Sequence, residues 1–142
     1  MAENKSSISI PDEVIMSKIY LIRGKKVMLD RDLAELYGIE TKVLKQTVRR
    51  NTNRFPSDFM FEMSAEELHD WRSQFVTSNT DKMGLRYSPF CFTEHGVLML
   101  SSVLNSDRAI KVNIQIIRIF TKIRELLLAH KDIVLQLEQM QQ

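Results

Sequence analysis

The chain has 142 residues, 44% of them apolar and 27% charged, with a formal net charge of +2. This length supports one hydrophobic core, and the composition is ordinary for a globular domain rather than a disordered or fibrous chain. No apolar run approaches the ~20 residues that span a bilayer, and the beginning, MAENKSSISIPDE, lacks the layout of a secretory signal. The single cysteine, Cys91, is expected to be a small buried residue, which fits a reducing cytoplasm.

Positive charge is concentrated in one part of the chain. Residues 18–54 carry ten basic and four acidic side chains, a local balance of +6 that leaves −4 for the remainder. A cationic surface of this kind is typical of a chain that binds a polyanion such as DNA.

The first predicted elements are a short helix and a hairpin. Residues 1–9 are expected to form a flexible lead-in, and a helix is expected from about Pro11 to Ile19, with acidic residues in its first turn. The next stretch, YLIRGKKVML, predicts a β-hairpin with Gly24-Lys25 in a type II′ turn. The cations at its tip would either touch DNA phosphates as a wing does or protect a solvated edge of the sheet. They are Arg23, Lys25 and Lys26.

Residues 30–53 carry the clearest functional pattern, two short helices joined by a tight turn. Gly38 is expected to end the first helix, because glycine enters the left-handed conformation without strain, and Thr41 to cap the second. The small Ala34 lets the helices approach closely, and Leu44 fills the space between them. These features are typical of a helix-turn-helix, whose second helix enters the major groove of DNA.

The second helix is expected to be amphipathic, with Val43, Leu44, Thr47 and Val48 facing inward. Its outer face is basic, and residues 41–55 contain five basic and no acidic side chains. The alternative is an ordinary solvated helix face. Because arginine and lysine donate to guanine and glutamine pairs with adenine, Lys45, Gln46 and Arg49 are predicted to read base edges. The residues predicted to complete the DNA interface, mainly through phosphates, are Lys42, Arg50, Asn53, Arg54, Arg23, Lys25 and Lys26.

After the second helix the apolar period changes from helix to strand. A strand over Phe59 to Met63 is expected to pair with a second strand in the segment SPFCFT. Between them, Ser64 and Glu67 form a capping box that begins a helix. Residues 77–86 are expected to form a long surface connection.

The last part of the chain predicts two helices. A mostly buried helix capped by Thr93 ends at Asn105-Ser106, and a long helix without proline or glycine follows from about Asp107. A seven-residue apolar repeat runs along it and is still unfinished at Gln142, which predicts a further domain downstream. The second half is expected to form a coiled-coil homodimer, the alternative being that it packs back on its own domain. The predicted dimer contacts are Ile119, Ile123, Leu126, His130, Ile133, Leu137 and Met140.

No residue pattern predicts catalysis. The three histidines lie far apart in sequence, and none joins Cys91 or a carboxylate at a metal-ligand spacing. Glu94 and His95 are adjacent on a helix and point about 100° apart, so they do not form an acid/base dyad. We therefore expect no enzyme activity, cofactor, metal or small-molecule substrate.

Four segments resemble a known family: VMLDRDLAELYG at 27–38, RRNTNRFPSDFMFEM at 49–63, FTEHGVLMLSSVL at 92–104 and AIKVNIQIIRIF at 109–120. They resemble the phage open-reading-frame-six N-terminal domain, which is related to the KilA-N and Bro-N domains. The resemblance implies a DNA-binding domain of phage or prophage origin, commonly the N-terminal part of an antirepressor-like regulator. It also implies that the helix from Thr41 to Arg50 contacts DNA. The basic exit from that helix would be Arg49, Arg50, Asn51 and Arg54.

The sequence therefore predicts an α+β, mostly helical fold: a winged-helix-like helix-turn-helix with a hairpin and a small sheet, then a helical half and a long C-terminal helix. Residues 10–126 are expected to form the DNA-binding domain and residues 127–142 a helical extension. The predicted function is sequence-preferring binding of double-stranded DNA by a homodimeric regulator. The alternative is an adaptor that binds a repressor or host protein through residues 59–71 or through the terminal helix.

Overall fold

A computed structural model describes residues 10–75 and 88–141 and confirms the mostly helical α+β class. The predicted lead-in at 1–9 and the connection at 77–86 lie outside the described residues. Among those described, no helix combines the length and apolar character needed to cross a bilayer. In chain order the elements are α1 (Asp12–Met16), β1 (Tyr20–Ile22), β2 (Lys25–Leu29), α2 (Asp30–Tyr37), α3 (Thr41–Arg50), a 3-10 turn (Thr52–Arg54), β3 (Met60–Glu62), α4 (Ala65–Phe75), β4 (Phe90–Phe92), α5 (Glu94–Leu104) and α6 (Asp107–Met140).

The four strands form one antiparallel sheet in the order β1-β2-β4-β3. The predicted pairing of the two central segments is confirmed, with Phe61 opposite Cys91. Because side chains alternate across a strand, one face of the sheet packs on the main helical core and the other on α4 and its Trp71. Burial among these apolar groups raises the pKa of the Cys91 thiol to about 12, so this cysteine is a packing residue.

The predicted hairpin is present, but its turn is one residue earlier than expected. Ile22 pairs with Lys25, so the two-residue loop is Arg23-Gly24 rather than Gly24-Lys25. Both loop residues have positive φ, 57° and 71°, which is the signature of a type I′ turn and not of the predicted type II′.

The helix-turn-helix forms as predicted around Gly38, which has φ 75° at the end of α2. The N–H of Ile39 donates to the carbonyl of Ala34 at 3.0 Å and closes the turn. The assignment of Thr41 as the N-cap is wrong. Glu40 occupies that position with extended backbone angles and makes no side-chain cap hydrogen bond, so Thr41 is the first helical residue.

Two side chains of α3 anchor it to the core. Leu44 and Val48 are fully buried, as predicted. Val43 is 41% exposed, which contradicts its predicted place on the inner face. The reason is angular, because a residue adjacent to Leu44 is rotated by about 100° away from the line that joins Leu44 and Val48.

The helical half is fixed by predicted caps and one buried polar link. Ser64 and Glu67 form the expected capping box, and the Thr93 hydroxyl caps α5. In the core, the Tyr37 hydroxyl donates to the Asn113 side-chain oxygen, and the Asn113 amide donates to the Val97 carbonyl at 2.8 Å. Burial raises the pKa of Tyr37, so the hydroxyl stays protonated and the link joins α2, α5 and α6.

The long helix α6 changes environment along its length. Its first half lies in the core, as predicted, through residues such as Val112, Ile116 and Phe120. Beyond Ile123 every described residue up to position 141 is exposed. Apart from the ion pair between Arg124 and Glu94, this part does not pack back on the domain. Ile119 is 4% exposed inside its own domain, which contradicts its predicted place at a dimer contact.

Two glycines with similar positive φ values, Gly24 at 71° and Gly38 at 75°, allow a test of the turn between α2 and α3. A Cβ on Gly38 would lie 3.2 Å from the Arg108 guanidinium carbon, whereas a Cβ on Gly24 would meet nothing within 4 Å. Alanine in the left-handed conformation costs about 1–2 kcal/mol, so G24A should show this strain alone. G38A should lose more free energy of unfolding, because Arg108 must also move. Equal losses in chemical denaturation would show that Arg108 makes no contribution at the turn.

Candidate nucleic-acid interface

The outer face of α3 is the side of the helix opposite its buried residues. With Leu44 and Val48 inward, a rotation of about 100° per residue places Gln46 on the opposite side of the helix. Gln46 and Arg49, both predicted to read bases, are exposed. Lys42 and Arg50 are exposed on either side of Gln46. The face therefore presents one amide and three cations to solvent. We call it the α3 face: Lys42, Gln46, Arg49 and Arg50.

Lys45 does not belong to the α3 face, although the sequence predicted it to read bases. Its side chain is 13% exposed, and its Nζ lies 3.4 Å from a carboxylate oxygen of the buried Asp30. The same Nζ donates to the Ser88 carbonyl at 3.1 Å and lies 5.0 Å from the centre of the Phe90 ring. Lys45 points sideways from α3 toward the sheet, and the Asp30 carboxylate compensates its charge inside the protein.

The Asp30 carboxylate joins three elements at this point. It accepts hydrogen bonds from the backbone N–H of Arg31 at 2.6 Å and of Phe90 at 2.9 Å, in addition to the ion pair with Lys45. Burial raises the pKa of Asp30, while the hydrogen bonds and the Lys45 charge act in the opposite direction. The carboxylate thus ties the start of α2, the start of β4 and the middle of α3 together.

Arg49 is supported from below by the same aromatic residue. Its guanidinium carbon lies 5.4 Å from the centre of the Phe90 ring, within the range of a cation–π contact. A long side chain that rests on a ring has fewer conformations to lose when it binds a partner. Among the residues of the α3 face, Arg49 is therefore the one held by an aromatic contact.

Two of the residues predicted to extend the DNA interface beyond α3 make contacts within the protein. The Asn51 amide donates to the Thr47 carbonyl at 2.8 Å and helps to end the helix. Asn53 and Arg54 are exposed on the 3-10 turn, and an Arg54 nitrogen lies 3.3 Å from the Ser102 hydroxyl. Asn53 and Arg54 therefore continue the polar surface past the end of α3.

The hairpin cations lie apart from the α3 face. Arg23 donates to both carboxylate oxygens of Glu67, at 2.7 and 2.9 Å, and lies 4.1 Å from the centre of the Phe61 ring. It therefore holds the hairpin to α4, and its guanidinium is engaged within the protein. Lys25 and Lys26 begin the strand that ends next to Asp30. An extended strand rises by about 3.3 Å per residue, which puts Lys25 roughly 17 Å along the chain from Asp30.

One residue at the interface was not singled out from the sequence. Arg108, in the first turn of α6, donates from Nε to the Leu36 carbonyl at 3.0 Å and packs on Gly38. A cation at a helix N-terminus is unfavourable for that helix but favourable at the C-terminus of another. An arginine at the second position of α6, where a cation is unfavourable, was the signal that could have identified it.

The remaining predicted positions are separate from this surface. In the second half of α6 the expected dimer contacts Leu126, Ile133, Leu137 and Met140 are more than half exposed, and His130 is exposed as well. Glu94 forms an ion pair with Arg124, whereas the His95 ring stacks on Phe59 at 5.4 Å. No group of three or more potential metal ligands occurs within the described part of the chain.

Comparison with known proteins gives one family match. A family model described as the ORF6N domain matches residues 17–103, which is more than half of the chain and includes α2, α3, the whole sheet and most of α5. No curated protein and no solved structure matches the chain.

The Arg23–Glu67 pair makes a pH-dependent prediction. Hydrogen bonds from Arg23, followed by those from Ser64, lower the pKa of Glu67 from its ordinary 4.5 to about 2. A lowered pKa in the folded state stabilises the protein above pH 4.5, and this contribution disappears as the pH falls toward 2. The difference in free energy of unfolding between the parent and E67Q should therefore shrink over this range. A difference that stays constant would show that Glu67 is not linked to folding in this way.

Proposed function

We propose that this chain, which belongs to the ORF6N family of phage-type regulatory or antirepressor-like proteins, binds double-stranded DNA through α3 with a preference for sequence. The observation that carries the proposal is the α3 face itself. An amide and three cations are exposed on a helix whose other sides are anchored by Leu44, Val48 and the Lys45–Asp30 pair. Such a pre-organised basic helix suits the major groove. There guanine offers two acceptors to arginine, and adenine offers one donor and one acceptor to glutamine.

The contacts of the described residues suggest a division of roles. Gln46, at the centre of the α3 face, and Arg49, at the edge that rests on Phe90, would read base edges. Lys42, Arg50 and Arg54 would hold phosphates at its margins. Lys45 would act by fixing the orientation of α3. We propose a binding function in the cytoplasm, without catalysis.

We propose that the protein acts as a homodimer through the exposed second half of α6. The residues that repeat there at alternating intervals of three and four are apolar except for His130, and they form a seam on one side of the helix. Ile123, half-buried at the end of the core, begins this seam. A two-fold dimer would present two copies of α3 to a pseudo-palindromic site. The remaining seam residues are Leu126, His130, Ile133, Leu137 and Met140.

An adaptor function is the second candidate, and a groove between β1 and α4 favours it. The groove has a volume of about 240 Å³ and is lined by Leu21, Trp71 and Phe75. Leu21 and Phe75 are 73% and 52% exposed, and the buried Trp71 indole nitrogen has no hydrogen-bond partner among the described residues. A repressor or host protein segment with apolar side chains would fit this groove.

Salt-titrated DNA binding tests the DNA proposal and its division of roles. R49A should lose about 1–3 kcal/mol of binding free energy on the preferred sequence and relax base preference. K42A should weaken binding to all sequences alike and reduce the slope against salt by about 1. The preferred sequence would come from a selection of bound oligonucleotides out of a random pool.

The matched control for this series is K131A, which removes one exposed cation from the projecting part of α6. It should behave like the parent protein. Equal losses on preferred and random DNA for both R49A and K42A would overturn the division of roles. Absence of salt-dependent binding by the parent would favour the adaptor function.

The dimer is tested by placing one carboxylate on or off the seam of α6. I133D puts a charge into the proposed apolar contact and should convert the dimer to a monomer in sedimentation velocity. L128D is the control, because Leu128 is exposed to a similar extent but lies on the other side of the helix. A dimer that survives I133D, or one that is lost equally in both variants, would argue against this seam.

A further inference from the structure

A second cationic surface runs along the first half of α6. The segment from Arg108 to Arg124 contains five basic and no acidic residues. Arg124 pairs with Glu94, but the other four cations are exposed. At about 100° per residue they fall within roughly 80° of one another, and at 1.5 Å per residue they extend over roughly 21 Å. We call this surface the α6 stripe: Arg108, Lys111, Arg118 and Lys122.

One acidic residue, Asp12, shares a groove with three residues of the stripe. A groove of about 490 Å³ separates α1 from α6, and Lys111, Arg118 and Lys122 line it together with Asp12. The Asp12 carboxylate accepts a hydrogen bond from the Gln115 amide at 2.9 Å. Asp107 and Glu125 flank the stripe in sequence at its two ends. The four cations of the stripe therefore outnumber Asp12, Asp107 and Glu125 by one.

The first residue of the stripe lies against the helix-turn-helix. Arg108 bonds to the Leu36 carbonyl and packs on Gly38, three residues before α3 begins. The buried bond from Tyr37 to Asn113 fixes α6 against α2 at the next turn of the helix. The stripe therefore starts beside the N-terminus of the proposed recognition helix and keeps a fixed direction relative to it.

We infer that the α6 stripe binds the phosphate backbone of DNA next to the segment that α3 contacts. This inference rests on the proposed DNA binding and extends its footprint. Lysine and arginine at regular intervals suit phosphates, whereas base reading needs a donor and acceptor pattern. The one amide within the stripe, Gln115, is bonded to the Ile10 carbonyl and to Asp12. The stripe thus adds affinity and does not change base preference.

The test compares the parent protein with the triple variant K111Q/R118Q/K122Q on two duplexes. One covers only the sequence protected by α3, and the other extends it on both sides. Each phosphate contact contributes about 0.9 to the slope of log K against log salt. The triple variant should lower this slope by about 2–3 on the long duplex and leave it unchanged on the short one. The affinity ratio of preferred to random DNA should stay the same.

Single variants provide the matched controls. R118Q should lower the slope on the long duplex by about 1, whereas K131Q, which removes a cation from the exposed end of the same helix, should have no effect. Thermal unfolding confirms that the exposed substitutions leave the fold intact.

The outcomes separate this inference from the proposal on which it rests. A parent protein without salt-dependent binding to either duplex would overturn DNA binding itself. A parent that binds, with the triple variant keeping the same slope on the long duplex, would overturn the α6 stripe and leave α3 binding intact. An equal reduction on both duplexes would also overturn the flanking position.

Discussion

The buried carboxylate of Asp30 is the interaction on which the arrangement of α3 depends. It lies where β2 passes directly into α2 and is bonded to the backbone N–H of Arg31 and Phe90 and to the Lys45 ammonium. Removing one partner from a buried ion pair costs several kcal/mol, because the remaining charge is then buried without compensation. A slip of α3 along the sheet would break the pair with Lys45. The ion pair therefore fixes which side of α3 faces solvent.

A second set of contacts holds the same helix pair from the opposite side. Asn113 of α6 binds Tyr37, and Arg108 of α6 binds the carbonyl of Leu36, so both contacts act on the last turn of α2. The arginine is unfavourable at the N-terminus of its own helix and favourable at the C-terminus of α2. The pair of helices α2 and α3 is therefore held by the sheet on one side and by α6 on the other. The α3 face is the part of this pair that neither of them covers.

Local patterns in the sequence predicted most of the elements, and a distant partner explains the misplacement of Lys45. Gly38 and the capping box at Ser64 each depend on signals within a few residues, and both are confirmed. The pairing of β3 with β4 is also confirmed, although one strand ends at Glu62 and the other begins at Phe90. Lys45 was misplaced because its partner, Asp30, lies on another element. Periodicity gives the angle of a side chain on its helix, but it does not reveal a buried carboxylate at the side of that helix.

The heptad pattern of α6 shows the same limit and constrains the proposed dimer. The repeat continues without a break from Ile119, which is buried in its own domain, to Leu126, which is exposed, so the sequence alone did not mark where the core ends. Because the seam continues the core-facing side, a partner helix must lie on the side of α6 that carries the body of its own domain. If the two α6 helices ran parallel, the folded cores of both subunits would have to occupy the same space between the helices. Antiparallel pairing beyond Ile123 places the bodies at opposite ends, so the proposed dimer favours antiparallel helices.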